Sequence, residues 1–415
     1  MNDKGEGTKR MKLGESYVYK PTIDGSPYSS LTNGVVVVVG EYPDVGSVAF
    51  CHESKRTHTE KVRPLKPAPT PPWRDVTTGT FVDLGADPEM FVVRDSGEVI
   101  PSWKFLAGKG TLGSSVPNRA IQIFTDGVQG ELAFSGPYRC LESMASGYRW
   151  GMIEMLNKAQ TLDPKARLVW WPSVEVKAQD LAEATDLQVA FGCNPSRNAY
   201  GLQGGEIPEP RGFLQRFAGH HVHFGDREIS PEGLVRTLDA TAGMVATALF
   251  GKLEPPVRRQ FYGLPGEYRT PKHGVEWRTL SSAVMCAPWV WHFVMEFARW
   301  AWWMEKLGVA QELWKWDPSG VVGALMESDG PAARRVLRDN EAVVRRFLDR
   351  KWGPQGVKVG MQMLMEGVGV AVPNIEHPNA MMKNWGLWGA LGVPDPDYRF
   401  HSFASWLDYP RGLRA

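Results

Sequence analysis

The chain predicts an α+β fold: an antiparallel sheet packed by helices, preceded by a small N-terminal β-barrel. Three observations carry this. Short runs rich in β-branched and aromatic residues, such as 34–40 and 120–124, read as strands. Stretches with apolar residues at helical spacing read as amphipathic helices, as in 140–159 with Leu141, Met144, Tyr148, Met152 and Met155 on one face. The two kinds of element follow one another without the regular alternation of a doubly wound parallel sheet.

Residues 1–72 form the first domain. Strands at 16–20, 34–40 and 46–51, with a closing strand through 58–63 and turns at Asn33-Gly34 and Pro43-Asp44, predict a small barrel. Such a barrel either docks a peptide or partner or only packs on its neighbour. The Pro-rich run 64–72 reads as a semi-rigid linker. The second domain, 73–310, is the chemical one. Its predicted strands are 80–94, 99–101, 120–124, 128–134, 220–224 and 276–280, with a loop at 191–195. Helices are predicted at 140–159, at 231–250 behind Ser230 as N-cap and Pro231, and at 283–306 with a kink near Pro288. The last segment, 311–415, is a helical and irregular extension packed on the second domain, with an amphipathic helix at 331–352.

Composition narrows the function. The 47 basic residues nearly cancel the 46 acidic ones, and a net charge of +1 predicts neither a nucleic-acid surface nor a membrane-seeking one. The apolar stretch 283–303 carries Glu296 and Arg299, so it reads as a buried helix rather than a bilayer span. Cys51, Cys140, Cys193 and Cys286 match no zinc or redox spacing and read as thiols in a reducing compartment. With no apolar core in the first residues, the expected location is cytoplasmic.

The chemistry-bearing residues sit on strands at alternating spacing. His221 and His223 in Gly-His-His-Val-His-Phe-Gly project from one strand face. Asp87 and Glu89 flank Pro88 in the same way, Glu131 stands in an apolar strand, and Glu276 shares a face with Arg278. A solvent-facing strand position explains any one of these, but their combination predicts a shared site, since buried charges need partners or a metal. Several carboxylates with one or two imidazoles suit Mg²⁺ or Mn²⁺ better than zinc. Arg258, Arg259, Arg269, Lys272 and Arg278 add cations suited to phosphate. Acids for a metal together with arginines for phosphate are what phosphoryl transfer from a nucleotide requires. No Gly-x-x-x-x-Gly-Lys-Ser/Thr loop is present.

The motifs 85–91, Asp126-Gly127 with Glu131, 191–195, 219–225, Arg258-Arg259 with Tyr262-Gly263, and 276–278 occur in an order that resembles the phage-type carboxylate–amine ligases. These are amidoligases related to glutamine synthetase, and the resemblance covers roughly 78–300. It implies a glutamine-synthetase-like sheet and ATP-dependent joining of a carboxylate to an amine through an acyl phosphate. It also implies Asp87, Glu89, Glu131, His221 and Glu276 as metal ligands. By the same analogy His223, Arg258, Arg259, Lys272 and Arg278 meet the nucleotide, and Glu89, Glu131, Arg259, Arg269 and Arg278 serve catalysis. The chain departs from the pattern at Ala133, where relatives often carry Asn, and at His220, which replaces the second Gly of a Gly-Gly. Two rivals share these residues: another phosphotransferase, such as a guanidino kinase, and a catalytically silent phage structural protein. The acid and amine are not legible; a peptide or protein substrate is one option.

Overall fold

The computed structural model describes residues 16–19, 34–42, 47–52, 57–60, 82–111, 121–134, 141–190, 196–206, 208–387 and 402–407. The chain divides into two compact units, 1–82 with 138–144 and 83–137 with 145–415.

In the first unit, β1 (Ser16–Tyr19), β2 (Gly34–Tyr42), β3 (Ser47–His52) and β4 (Thr57–Glu60) form an antiparallel meander in sequence order. The expected barrel is corrected to this open sheet: among the described residues β1 and β4 are edges. Four strands are few for closure, since the small barrels of this kind use about five. The predicted linker at 64–72 lies outside the described residues.

The second unit is built on a mixed-length antiparallel sheet. Its strands are β5 (Leu84–Val93), β6 (Val99–Ile100), β7 (Ile121–Asp126), β8 (Gln129–Phe134), β9 (Arg167–Val169), β10 (Ser173–Glu175), β11 (Arg197–Asn198), β12 (Gln215–Phe217), β13 (His220–Phe224), β14 (Glu267–Arg269) and β15 (Val275–Trp277). The main sheet runs β11-β14-β15-β13-β5-β8-β7, with β6 and β9 also on β5, while β10 and β12 pair separately. Long β5 is central because it changes partners along its length. Residues 84–88 pair with β13, Glu89 and Met90 with β8, and 91–93 with β9. Pro88 is the last β13-paired residue, so its missing N–H falls where the ladder changes hands.

One face of this sheet is apolar and covered by helices. Leu84, Ala86, Met90, Val222, Tyr268 and Trp277 are all buried there. Helix Pro231–Leu238 opens as expected, with Ser230 Oγ accepting from Gly233 N–H and Pro231 in the first turn. The predicted 231–250 helix contains a π turn at Asp239–Gly243 before it resumes at Met244–Phe250. That turn aims Asp239 at the sheet, where it accepts from Trp277 Nε1 (2.8 Å) and Gly266 N–H (2.6 Å). The 283–306 helix begins instead at Pro288, after a 3₁₀ turn at Ser282–Cys286; the proline starts the helix rather than kinking it. Trp291 in this helix donates to His220 Nε2 (3.1 Å) from the same side. His220, the extra histidine of the sequence, is thus a core residue, and burial lowers its pKa to about 3.

The C-terminal extension packs on these helices. Trp314 donates to Ala240 O (3.0 Å) and Trp385 to Met285 O (2.6 Å). The 331–352 helix is two helices, Gly330–Asp339 and Glu341–Glu366, the latter broken at Gly353. No helix among the described residues is long and apolar enough to cross a membrane.

Candidate active site

Register decides which residues meet. Partners opposite one another in an antiparallel ladder share a face. His221 lies opposite Asp87, His223 opposite Glu276, Arg269 opposite Glu276, and Glu89 opposite Glu131. The period of two then carries all of these, with Arg278, onto the face away from the helices. Asp126 joins them through the β7–β8 hairpin: it pairs with Gln129, two residues before Glu131. The two-residue turn depends on Gly127, whose φ of +60° suits the first central position of a type II′ turn.

Glu89, Asp126 and Glu131 offer carboxylate oxygens within 4.8 Å of one another. Burial and then the Asp126 charge raise the Glu89 pKa to about 7. Burial, followed by the charges of Asp87 and Asp126, pushes Glu131 well above the carboxylate range, and burial also raises Asp126. Lys109 Nζ stands 3.6 Å from Glu131 Oε1.

Glu89 is held from two sides. Gly219 N–H donates to Oε2 (2.6 Å) and the Tyr262 hydroxyl donates to Oε1. Tyr262 is also 3.1 Å from His221 Nε2, and Arg278 Nη1 is 3.4 Å from His221 Nδ1. The network assigns a neutral His221 that donates from Nε2 to Tyr262 and accepts from Arg278 at Nδ1. Burial and the arginine charge accordingly hold its pKa well below the ordinary value. Gly219 permits the packing: a Cβ there would lie 2.8 Å from Tyr262 Cε1 and 3.0 Å from His221 Nε2.

The remaining groups pair off nearby. His223 Nε2 bonds Asp87 Oδ2 (3.0 Å) and its Nδ1 bonds His273 Nε2 (2.9 Å). Burial opposes both charges of the Asp87–His223 pair, but their mutual attraction wins, lowering Asp87 and raising His223. Glu276 accepts from Arg278, with Arg269 Nη1 at 3.7 Å. Lys272 is exposed in the β14–β15 turn beside His273.

Two expected residues take another place. Arg258 donates to Glu254 (2.8 Å) and Leu280 O (3.0 Å); Arg259 pairs with Glu254 (2.9 Å) and donates to Gly263 O and Thr279 O. Both guanidinium groups are buried and committed to holding a loop, so the phosphate role expected for them is withdrawn. Sequence reading placed Asp126 and Tyr262 in motifs without giving either a site role, and it did not name Lys109 or His273. For Asp126 a signal existed, because a two-residue hairpin at 127–128 fixes its parity with Glu131. The loop 191–195 lies outside the described residues.

No curated protein matches the chain. Residues 187–306, which span β11 to β15, Tyr262 and the helix from Pro288, match the family model described as Phage phiEco32-like COOH.NH2 ligase-type 2. Over that segment the chain is similar to the phage-type carboxylate–amine ligases.

Proposed function

We propose that this protein is an ATP-dependent ligase that joins a carboxylate to an amine through an acyl phosphate, using Mg²⁺ or Mn²⁺. The observation that supports this most is the acid trio Glu89, Asp126 and Glu131 on the same face as His221, Glu276, Arg269 and Arg278. The all-oxygen donor set fits a hard divalent cation, and burial followed by neighbouring carboxylate charge raises the carboxylate pKa values, costs that such a cation offsets. When bound, the ion supplies charge neutralisation at phosphoryl oxygens.

In this reading a substrate carboxylate oxygen attacks the γ-phosphorus, and the bond to the bridging oxygen breaks as ADP leaves. The amine nitrogen then attacks the acyl carbon, phosphate leaves with the electron pair, and the amine proton passes to solvent. Arg278, fixed by Glu276 and Glu267, orients phosphoryl oxygens at the face. Arg269, partly exposed and 3.7 Å from Glu276, meets phosphate or the substrate carboxylate. His223 and Lys272 line the nucleotide side, while Asp87 and Glu276 complete the anionic wall beside the neutral His221. The proposed setting is the host cytoplasm, where nucleotide is abundant.

The test is ADP release in the presence of ATP, Mg²⁺ and panels of acids and amines, with products read by mass spectrometry. An amide product supports the ligase. A phosphorylated amine indicates a phosphotransferase, and no nucleotide turnover with any pair counts against both.

A further inference from the structure

Lys109 lies outside the segment matched by the family model, yet it points into the acid trio. Its loop is anchored on the strand that carries Asp126. Gly108 forms a bridge with Thr125, and Thr125 N–H donates to Ala107 O (3.0 Å). The side chain crosses the Phe124 ring, with Nζ 4.6 Å from its centroid, and ends 3.6 Å from Glu131 Oε1. Unlike the arginines of the site, it is not packed in place: its side chain is 65 % exposed. Gly110 follows with φ +75° and open space around it.

Charge placement gives this lysine a use. Arg278 is committed to Glu276 and Glu267, and Arg258 and Arg259 to Glu254 and main-chain carbonyls. Lys109 is in ion-pair contact with a member of the trio, Glu131. An ammonium and a divalent cation repel, so a metal held by the carboxylates would displace Lys109 from Glu131. The flexible stem then leaves the ammonium within a few ångströms of the same acids, where phosphoryl oxygens would lie. A compact point charge on a mobile stem suits a group that changes position during transfer.

We propose that Lys109 is a catalytic residue that contacts the terminal phosphoryl group, with Glu131 as its counter-ion before nucleotide and metal bind. This rests on the ligase reading above. The experiment is calorimetric titration of a non-hydrolysable ATP analogue with Mg²⁺ into wild type, Lys109→Ala and Lys109→Arg, beside titration of Mn²⁺ alone. The exposed position predicts unchanged melting for both variants. Lys109→Ala should weaken the analogue about 10- to 100-fold. It should bind Mn²⁺ as tightly as wild type or more tightly, since a competing cation is gone. Lys109→Arg should recover most of the analogue affinity. Wild-type analogue affinity in Lys109→Ala overturns the proposal alone, leaving Lys109 a simple counter-ion. Failure of the wild type to bind the analogue overturns the ligase reading as well.

Discussion

Glu89 and Glu131 are register partners on β5 and β8, so two buried carboxylates face each other across one ladder. Like charges directly opposite destabilise a sheet. With Asp126 beside them, the arrangement stores repulsion that a bound cation would release, and the first predictions follow from that.

Replacing one member isosterically should separate stability from function. Glu131→Gln should raise the metal-free melting temperature by a few °C, roughly the effect of relieving one buried like-charge contact. The same variant should lose divalent-ion binding and orders of magnitude in turnover. Calorimetry of unfolding alongside Mn²⁺ titration reads both.

The pH dependence has a definite sign. Glu89 is raised to about 7 in the fold, and Glu131 and Asp126 are raised as well. A raised carboxylate gives stability that is complete below its unfolded pKa and lost as pH climbs through the folded one. Metal-free protein should therefore lose stability between about pH 4.5 and 7. Mg²⁺ should restore it, and by more at pH 7.5 than at pH 5.5. Asp87, whose pKa is lowered, works in the opposite sense and only at more acid pH. Melting curves across pH with and without Mg²⁺ check this.

Gly219 is a sharper probe of geometry than any acid. Gly219→Ala puts a Cβ against the Tyr262 ring and His221, so the tyrosine must withdraw from Glu89. Divalent-ion affinity at neutral pH should fall because Glu89 loses a donor that favours its charged form. Tyr262→Phe should reproduce the loss of ion affinity without the steric cost, and Mn²⁺ titration of both variants at pH 7 compares them.

Arg259 tests the withdrawn assignment. Arg259→Ala leaves Glu254 short of a buried partner, and the expected cost is about 3–5 kcal/mol of stability. A folded variant with lost nucleotide binding and unchanged urea stability would restore the phosphate role.

Much of the site was legible because it is written in strand parity. Asp87/Glu89, His221/His223 and Glu276/Arg278 each follow the period of two, and that period survives folding unchanged. Partner choice was not legible. Nothing in the spacing shows that Arg258 and Arg259 turn to Glu254, since that depends on a loop closing over them. Lys109 and Tyr262 arrive from outside the strands by tertiary packing, which no period encodes. The helix limits were read closely at Ser230, where a cap residue marks the start. They were missed at Asp239–Gly243, where the helix is buried on every side and an extra residue displaces no apolar–polar boundary.

The most direct measurement is titration of ATP into wild type and Glu89→Gln, each with Mg²⁺ and with chelator. The account predicts binding that requires the ion and weakens at least about tenfold in the variant. Binding that ignores both the ion and the Glu89 substitution would contradict the assigned site.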